Sequence, residues 1–163
     1  MAPTIQKPRF VADQMLGKLA KWLRLLGFDT SYYHTIDHAR LLRIARDEHR
    51  VLLTRDTQLL KTRPVIKDQI SAVMISRECL DHQLIQLIEE FDLEKTGFYQ
   101  PLCPKCNIPM EKVPRKDVRG HVPSYVYKIH NDFTFCSQCK HYYWRGTHWD
   151  NIKARIKGIV DTE

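Results

Sequence analysis

The sequence predicts an α/β fold, a parallel sheet covered by helices on both faces, followed by a small metal-stapled module. Two observations carry this. Short β-type runs alternate with helical periodicity up to about residue 95, and strands alternating with helices imply a parallel sheet. Beyond Thr96-Gly97 the pattern gives way to prolines, aromatics and two Cys-x-x-Cys pairs. The expected domains are therefore residues 1–97 and 98–163.

Arg9 to Ala12 reads as a short strand. Met15, Leu16, Leu19, Leu23 and Leu26 then recur at helical spacing, with Lys18, Lys21 and Arg24 expected to point away. Gly27 should end that helix, because glycine adopts the left-handed C-terminal position without strain. Phe28 to Tyr33 is a second strand, and Asp37 opens a helix with Leu41, Leu42, Ile44 and Ala45 inward. Val51 to Thr54 and Ile70 to Ile75 are apolar runs suited to buried parallel strands. A brief helix should start at Thr57, and Asp81 should cap a last helix carrying Leu84, Ile85, Leu87 and Ile88.

The segment after Gly97 is too small for an ordinary core and needs a staple. Cys103/Cys106 and Cys136/Cys139 form two CxxC turns separated by 29 residues. Each turn aims two thiolates at one ion, and two complete a tetrahedron with no open position, so the site should be structural Zn²⁺. A redox reading is weaker, because neither pair opens a helix after a strand. The fifth cysteine, Cys79, is assigned no role.

Net charge is +7, with 26 Lys and Arg against 19 Asp and Glu. It is concentrated late: residues 1–98 carry 15 basic and 13 acidic side chains, a net of +2, and residues 99–163 carry 11 and 6, a net of +5. Basic surfaces attract polyanions through phosphate contacts. Tyr125, Tyr127, Tyr142, Tyr143, Trp144 and Trp149 interleave with these bases, the composition of a single-strand-binding surface. Most of these rings are nonetheless expected to form the module's own core. No run is long enough to span a bilayer and the start has no apolar signal core, so a cytoplasmic protein with no membrane partner is expected.

Three aspartates occupy comparable places: Asp13 after the first strand, Asp37 before the second helix, and Asp56 after VLLTR. Each alone suits a helix N-cap. Together, at strand-to-helix junctions along one sheet edge, they could converge on Mg²⁺ or Mn²⁺, which prefer hard oxygen ligands. Lys18, Arg24 and Arg55 are candidates for contacting RNA phosphate, and Thr54 for holding Asp56.

The segments FVADQMLGKLAKWLRLLGFDT, IDHARLL, RVLLTRD, CPKCN and YYWRGTHW closely resemble, in order and over nearly the whole chain, the Mut-seven C-terminal RNase domain family. That resemblance implies a PIN-like three-layer fold with a zinc ribbon and divalent-metal cleavage of RNA. It carries the acidic roles onto Asp13, Asp37 and Asp56 and zinc ligation onto the four cysteines. Arg145 and His148 of the WRGTH signature are expected to position RNA near the acidic edge. His38 and Ala39 follow Asp37 where the family often has further acids, and no fourth acid is evident. The leading expectation is a metal-dependent endoribonuclease. A non-catalytic RNA- or ribosome-binding protein, or a zinc-stapled protein-interaction module, are the rivals.

Overall fold

The computed structural model describes residues 6–93 and 100–160, so the boundary expected at Thr96-Gly97 lies outside the described residues. The chain forms two compact units, residues 1–107 and 108–163.

In the first unit, β1 (Phe10–Ala12), β2 (Thr30–Tyr32), β3 (Val51–Thr54) and β4 (Ala72–Met74) make a parallel sheet in the order β2-β1-β3-β4. Successive strand residues face opposite ways. Val11 and Leu52 therefore meet Leu41 and Ala45 of α2 (His38–Asp47) and Leu59 of α3 (Thr57–Leu60). Phe10 turns to the other face, where its ring meets Phe28 and Phe91 edge-on. Phe91 ends α5 (Leu80–Phe91), which packs with α1 (Gly17–Leu25). Between α3 and α5 lies the single turn α4 (Arg63–Ile66).

A 3₁₀ turn over Gln14–Leu16 precedes α1. α1 ends as expected: Gly27 has φ 90°, its N–H bonds Arg24 O, and the Phe28 N–H reaches back to Leu23 O. This pair of bonds satisfies carbonyls the helix leaves open. At α5 the N-cap is Cys79, not Asp81, which lies in the first turn, where it still meets the positive helix end.

The second unit holds β5 (Glu111–Val113), β6 (Phe133–Phe135) and β7 (Tyr142–Trp144) in an antiparallel sheet. Between β5 and β6 come α6 (Arg115–Val118) and α7 (Ser124–Ile129), and α8 (Thr147–Val160) follows β7. Its core is Val118, Val126 and Phe133 with Val113, Val122 and Tyr142 around them. This corrects the expectation of an aromatic core: Tyr125 is 66% exposed and Trp144 37%. Valines and Phe133 fill this small core, Tyr142 packs at its edge, and Tyr125 and Trp144 are left on the surface. Among the described residues no helix is long and apolar enough to cross a membrane.

Candidate active site and metal centre

In an open parallel sheet, ligand crevices form beyond the strand C-termini where chain order reverses. Here the chain steps outward from β1 to β2 and then from β3 to β4, so the switch lies between β1 and β3. Asp13 directly follows β1, and Thr54-Arg55-Asp56 closes β3.

Asp13 is only 5% exposed. Its Oδ1 accepts the Gln14 N–H at 2.6 Å, and its Oδ2 accepts the Thr54 hydroxyl at 2.9 Å. The same Thr54 Oγ1 accepts the Asp56 N–H at 2.9 Å. One buried hydroxyl thus ties the two junctions together. Asp56 Oδ1 caps α3 through the Gln58 N–H at 2.8 Å, and its Oδ2 stands 3.3 Å from His38 Nε2. Asp37 is exposed and caps α2 through the Arg40 N–H at 2.8 Å.

The three aspartates therefore share one edge, but each also caps its own helix or turn. Among the described residues, the four cysteines form the one group of three or more His, Cys, Asp or Glu side chains gathered closely enough to hold a metal. The aspartates are hard oxygen donors of the right kind for Mg²⁺ or Mn²⁺.

The predicted RNA contacts divide. Lys18 is exposed. Arg55 is half-buried and gives Nη1 to the Arg77 carbonyl at 2.6 Å, which leaves part of its fork to the surface. Arg24 is a correction. It is 7% exposed, and donates Nε to Thr30 O at 2.8 Å and Nη1 to Pro104 O at 2.7 Å. A guanidinium so used serves the protein's own backbone. Arg145 is exposed after β7, and the His148 side chain lies outside the described residues.

The sequence reading missed three further residues. His38 was noted only as a departure from the family, yet it faces Asp56. Asn107 ties the first cysteine turn to the start of β2, giving Nδ2 to Asp29 Oδ1 at 2.7 Å and accepting the Thr30 N–H at 3.1 Å. Arg50 bonds both Asp29 oxygens, at 2.8 and 3.2 Å. Burial would raise the Asp29 carboxyl, but hydrogen bonds from Arg50, Asn107 and Arg9 hold it below the usual carboxylate range.

The four sulfurs of Cys103, Cys106, Cys136 and Cys139 lie within 4.8 Å of one another. Zn–S bonds of about 2.3 Å in a tetrahedron put sulfurs about 3.8 Å apart, so the set fits zinc. The two turns are built alike. Asn107 N–H bonds Cys103 O at 2.8 Å and Lys140 N–H bonds Cys136 O at 2.9 Å. Asn107 and Lys140 adopt φ of 60° and 59°, closing each turn so that its thiols point one way.

Compared with known protein families, residues 8–156 match the Mut7-C RNAse domain. The chain belongs to that family. No curated protein and no solved structure gives a match. Membership in the Mut7-C family makes the chain ribonuclease-like, with RNA as the substrate class, and confirms the resemblance read from its sequence.

Proposed function

We propose that this Mut7-C protein is an endoribonuclease with a PIN-like α/β domain. RNA lies across the strand-end edge, and Asp13, Asp37 and Asp56 are the catalytic carboxylates. The observation that supports this most is the buried Thr54 hydroxyl joined to both Asp13 and the Asp56 amide at the β1/β3 switch. A carboxylate held this way keeps its position without paying for reorganisation when substrate arrives. Lys18 and Arg55 supply positive charge for phosphate nearby. The second unit aids binding: exposed Tyr125 and Trp144 offer rings for stacking, with Lys128 and Arg145 on the same unit for backbone charge.

Cleavage is proposed to depend on Mg²⁺ or Mn²⁺. The ion would supply charge neutralisation at the phosphodiester, and the three aspartates are the residues that would hold it. The test is cleavage of a structured RNA pool by the zinc-loaded protein, with Mg²⁺ or Mn²⁺ omitted and then restored, beside Asp13→Asn and Asp56→Asn. Restoration of cutting in the wild type alone supports the proposal.

One observation favours a second reading. Each aspartate is engaged in capping, and His38 already faces Asp56, as in a protein that binds RNA or a ribosome without cutting it. RNA bound equally by wild type and both variants, with no cleavage in any metal, would establish that reading.

A further inference from the structure

We propose that Arg24 is the cation that balances the thiolates of Cys103 and Cys106 and, together with Asn107, sets how tightly the four-cysteine site keeps its metal. This stands independently of whether the protein cuts RNA.

A divalent ion with four thiolates carries a net charge of about −2. Such charge near a protein interior needs a nearby partner. Lys105 and Lys140, inside and after the CxxC turns, are exposed to solvent, where water screens them. Arg24 is buried, and that burial lowers its hold on its proton, with Cys103, Asp29 and Cys106 only partly offsetting the effect. It is a buried guanidinium hydrogen-bonded to the two carbonyls that lie between Cys103 and Cys106 in the chain.

Its bonds fix the turn as well as the charge. Arg24 Nη1 reaches Pro104 O at 2.7 Å and Lys105 O at 3.4 Å, the two residues between Cys103 and Cys106. The Leu102 N–H donates to Arg24 O at 2.8 Å, so the segment is held from both sides of one residue. Nε meanwhile anchors on Thr30 O at the start of β2. Asn107 closes the loop: its amide bonds Thr30 N–H and Asp29, one residue beyond the last thiol. Leu102, Pro104, Lys105 and Asn107, in and beside the first cysteine turn, are therefore fastened to Arg24 or to the start of β2. A lysine cannot do this, because an ammonium lacks the planar fork that meets Thr30 and Pro104 together. Partners beyond the ligands commonly change metal affinity by about 10–100-fold when removed.

The test is the rate at which the full-length, zinc-loaded protein surrenders zinc to a chromogenic chelator, well below its melting temperature. Arg24→Met should release zinc at least about tenfold faster than wild type. Arg24→Lys should fall between them. Asn107→Gly, which keeps the positive φ and removes only the amide, should also be faster than wild type. Leu41→Ala, a core truncation on the opposite face of the sheet, should lower the melting temperature yet release zinc at the wild-type rate. The Co²⁺-substituted protein adds a spectroscopic readout, since Arg24→Met should shift the thiolate charge-transfer band. The proposal is overturned if Arg24→Met loses zinc at the wild-type rate, or if Leu41→Ala accelerates loss as much. Should Arg24→Met fail to fold, wild-type rates in both Arg24→Lys and Asn107→Gly overturn it equally.

Discussion

The Thr54 hydroxyl donates to Asp13 Oδ2 at 2.9 Å. Because the same oxygen accepts the Asp56 N–H, it is the link between two loops that are otherwise 41 residues apart. Thr54→Val keeps the shape and removes the link, leaving a buried carboxylate oxygen and an amide without partners. Such losses cost about 1–3 kcal/mol each. The expected outcome is a lower melting temperature and a fall in RNA cleavage, both largely restored in Thr54→Ser. Differential scanning calorimetry and a cleavage assay check this.

Asp37 separates capping from catalysis. Asparagine caps a helix about as well as aspartate, whereas alanine costs about 1 kcal/mol. Asp37→Asn should keep the melting temperature within experimental error and lose cleavage. Asp37→Ala should lose both. An Asp37→Asn protein with full activity would reduce this residue to a cap.

Asp29 sets an acid limit on stability. Its folded carboxyl is held below its ordinary value, so its contribution is fully present above the unfolded value of about 3.9. It is lost as pH falls through the folded value. Asp29→Asn should lower the melting temperature at pH 7 and flatten its decline below about pH 4. Calorimetry across that acid range reads the difference.

Gly17 is needed for its missing side chain. A Cβ there would come within 2.8 Å of the Tyr32 hydroxyl, which donates to Gln14 O at 2.9 Å. Elsewhere in a helix Gly→Ala gains about 0.5–1 kcal/mol. Gly17→Ala should instead destabilise, and should become stabilising when Tyr32→Ala is also present. A double-mutant cycle in urea measures the coupling.

Metal removal should act on the second unit. Among its described residues the buried cluster of Val118, Val126 and Phe133 is small, of the size that a metal staple reinforces. In reduced, zinc-free protein the amides of β6 and β7 should lose protection from hydrogen exchange, while those of β1 and β3 retain it.

Much of the fold was legible because its signals are local. VLLT is apolar enough for a buried strand, Gly27 sits where only a left-handed residue closes a helix, and paired CxxC turns announce their metal. The candidate site was legible only in part. Aspartates after strands read the same whether they cap helices or gather an ion, and only coordinates show that all three are capping. Arg24 was misread because a charged residue in an amphipathic helix is normally taken as solvent-facing. Its position next to Leu23 and four residues after Ala20 fits the buried face, but its partners Pro104 and Lys105 lie 80 and 81 residues away, invisible to any local pattern. Asn107 did carry a signal, since asparagine after a CxxC turn is among the residues that tolerate a positive φ.

The central claim is that the β1/β3 edge cuts RNA. The most direct measurement is single-turnover cleavage of a structured RNA by zinc-loaded wild type and by Asp13→Asn of matched circular dichroism, with Mn²⁺ withheld and then added. Cutting by the wild type that starts on Mn²⁺ addition, and a loss of at least about a hundredfold in Asp13→Asn, is the expected result. Equal cleavage by both proteins would place the chemistry elsewhere, and binding without cleavage by either would make this edge a docking surface for RNA.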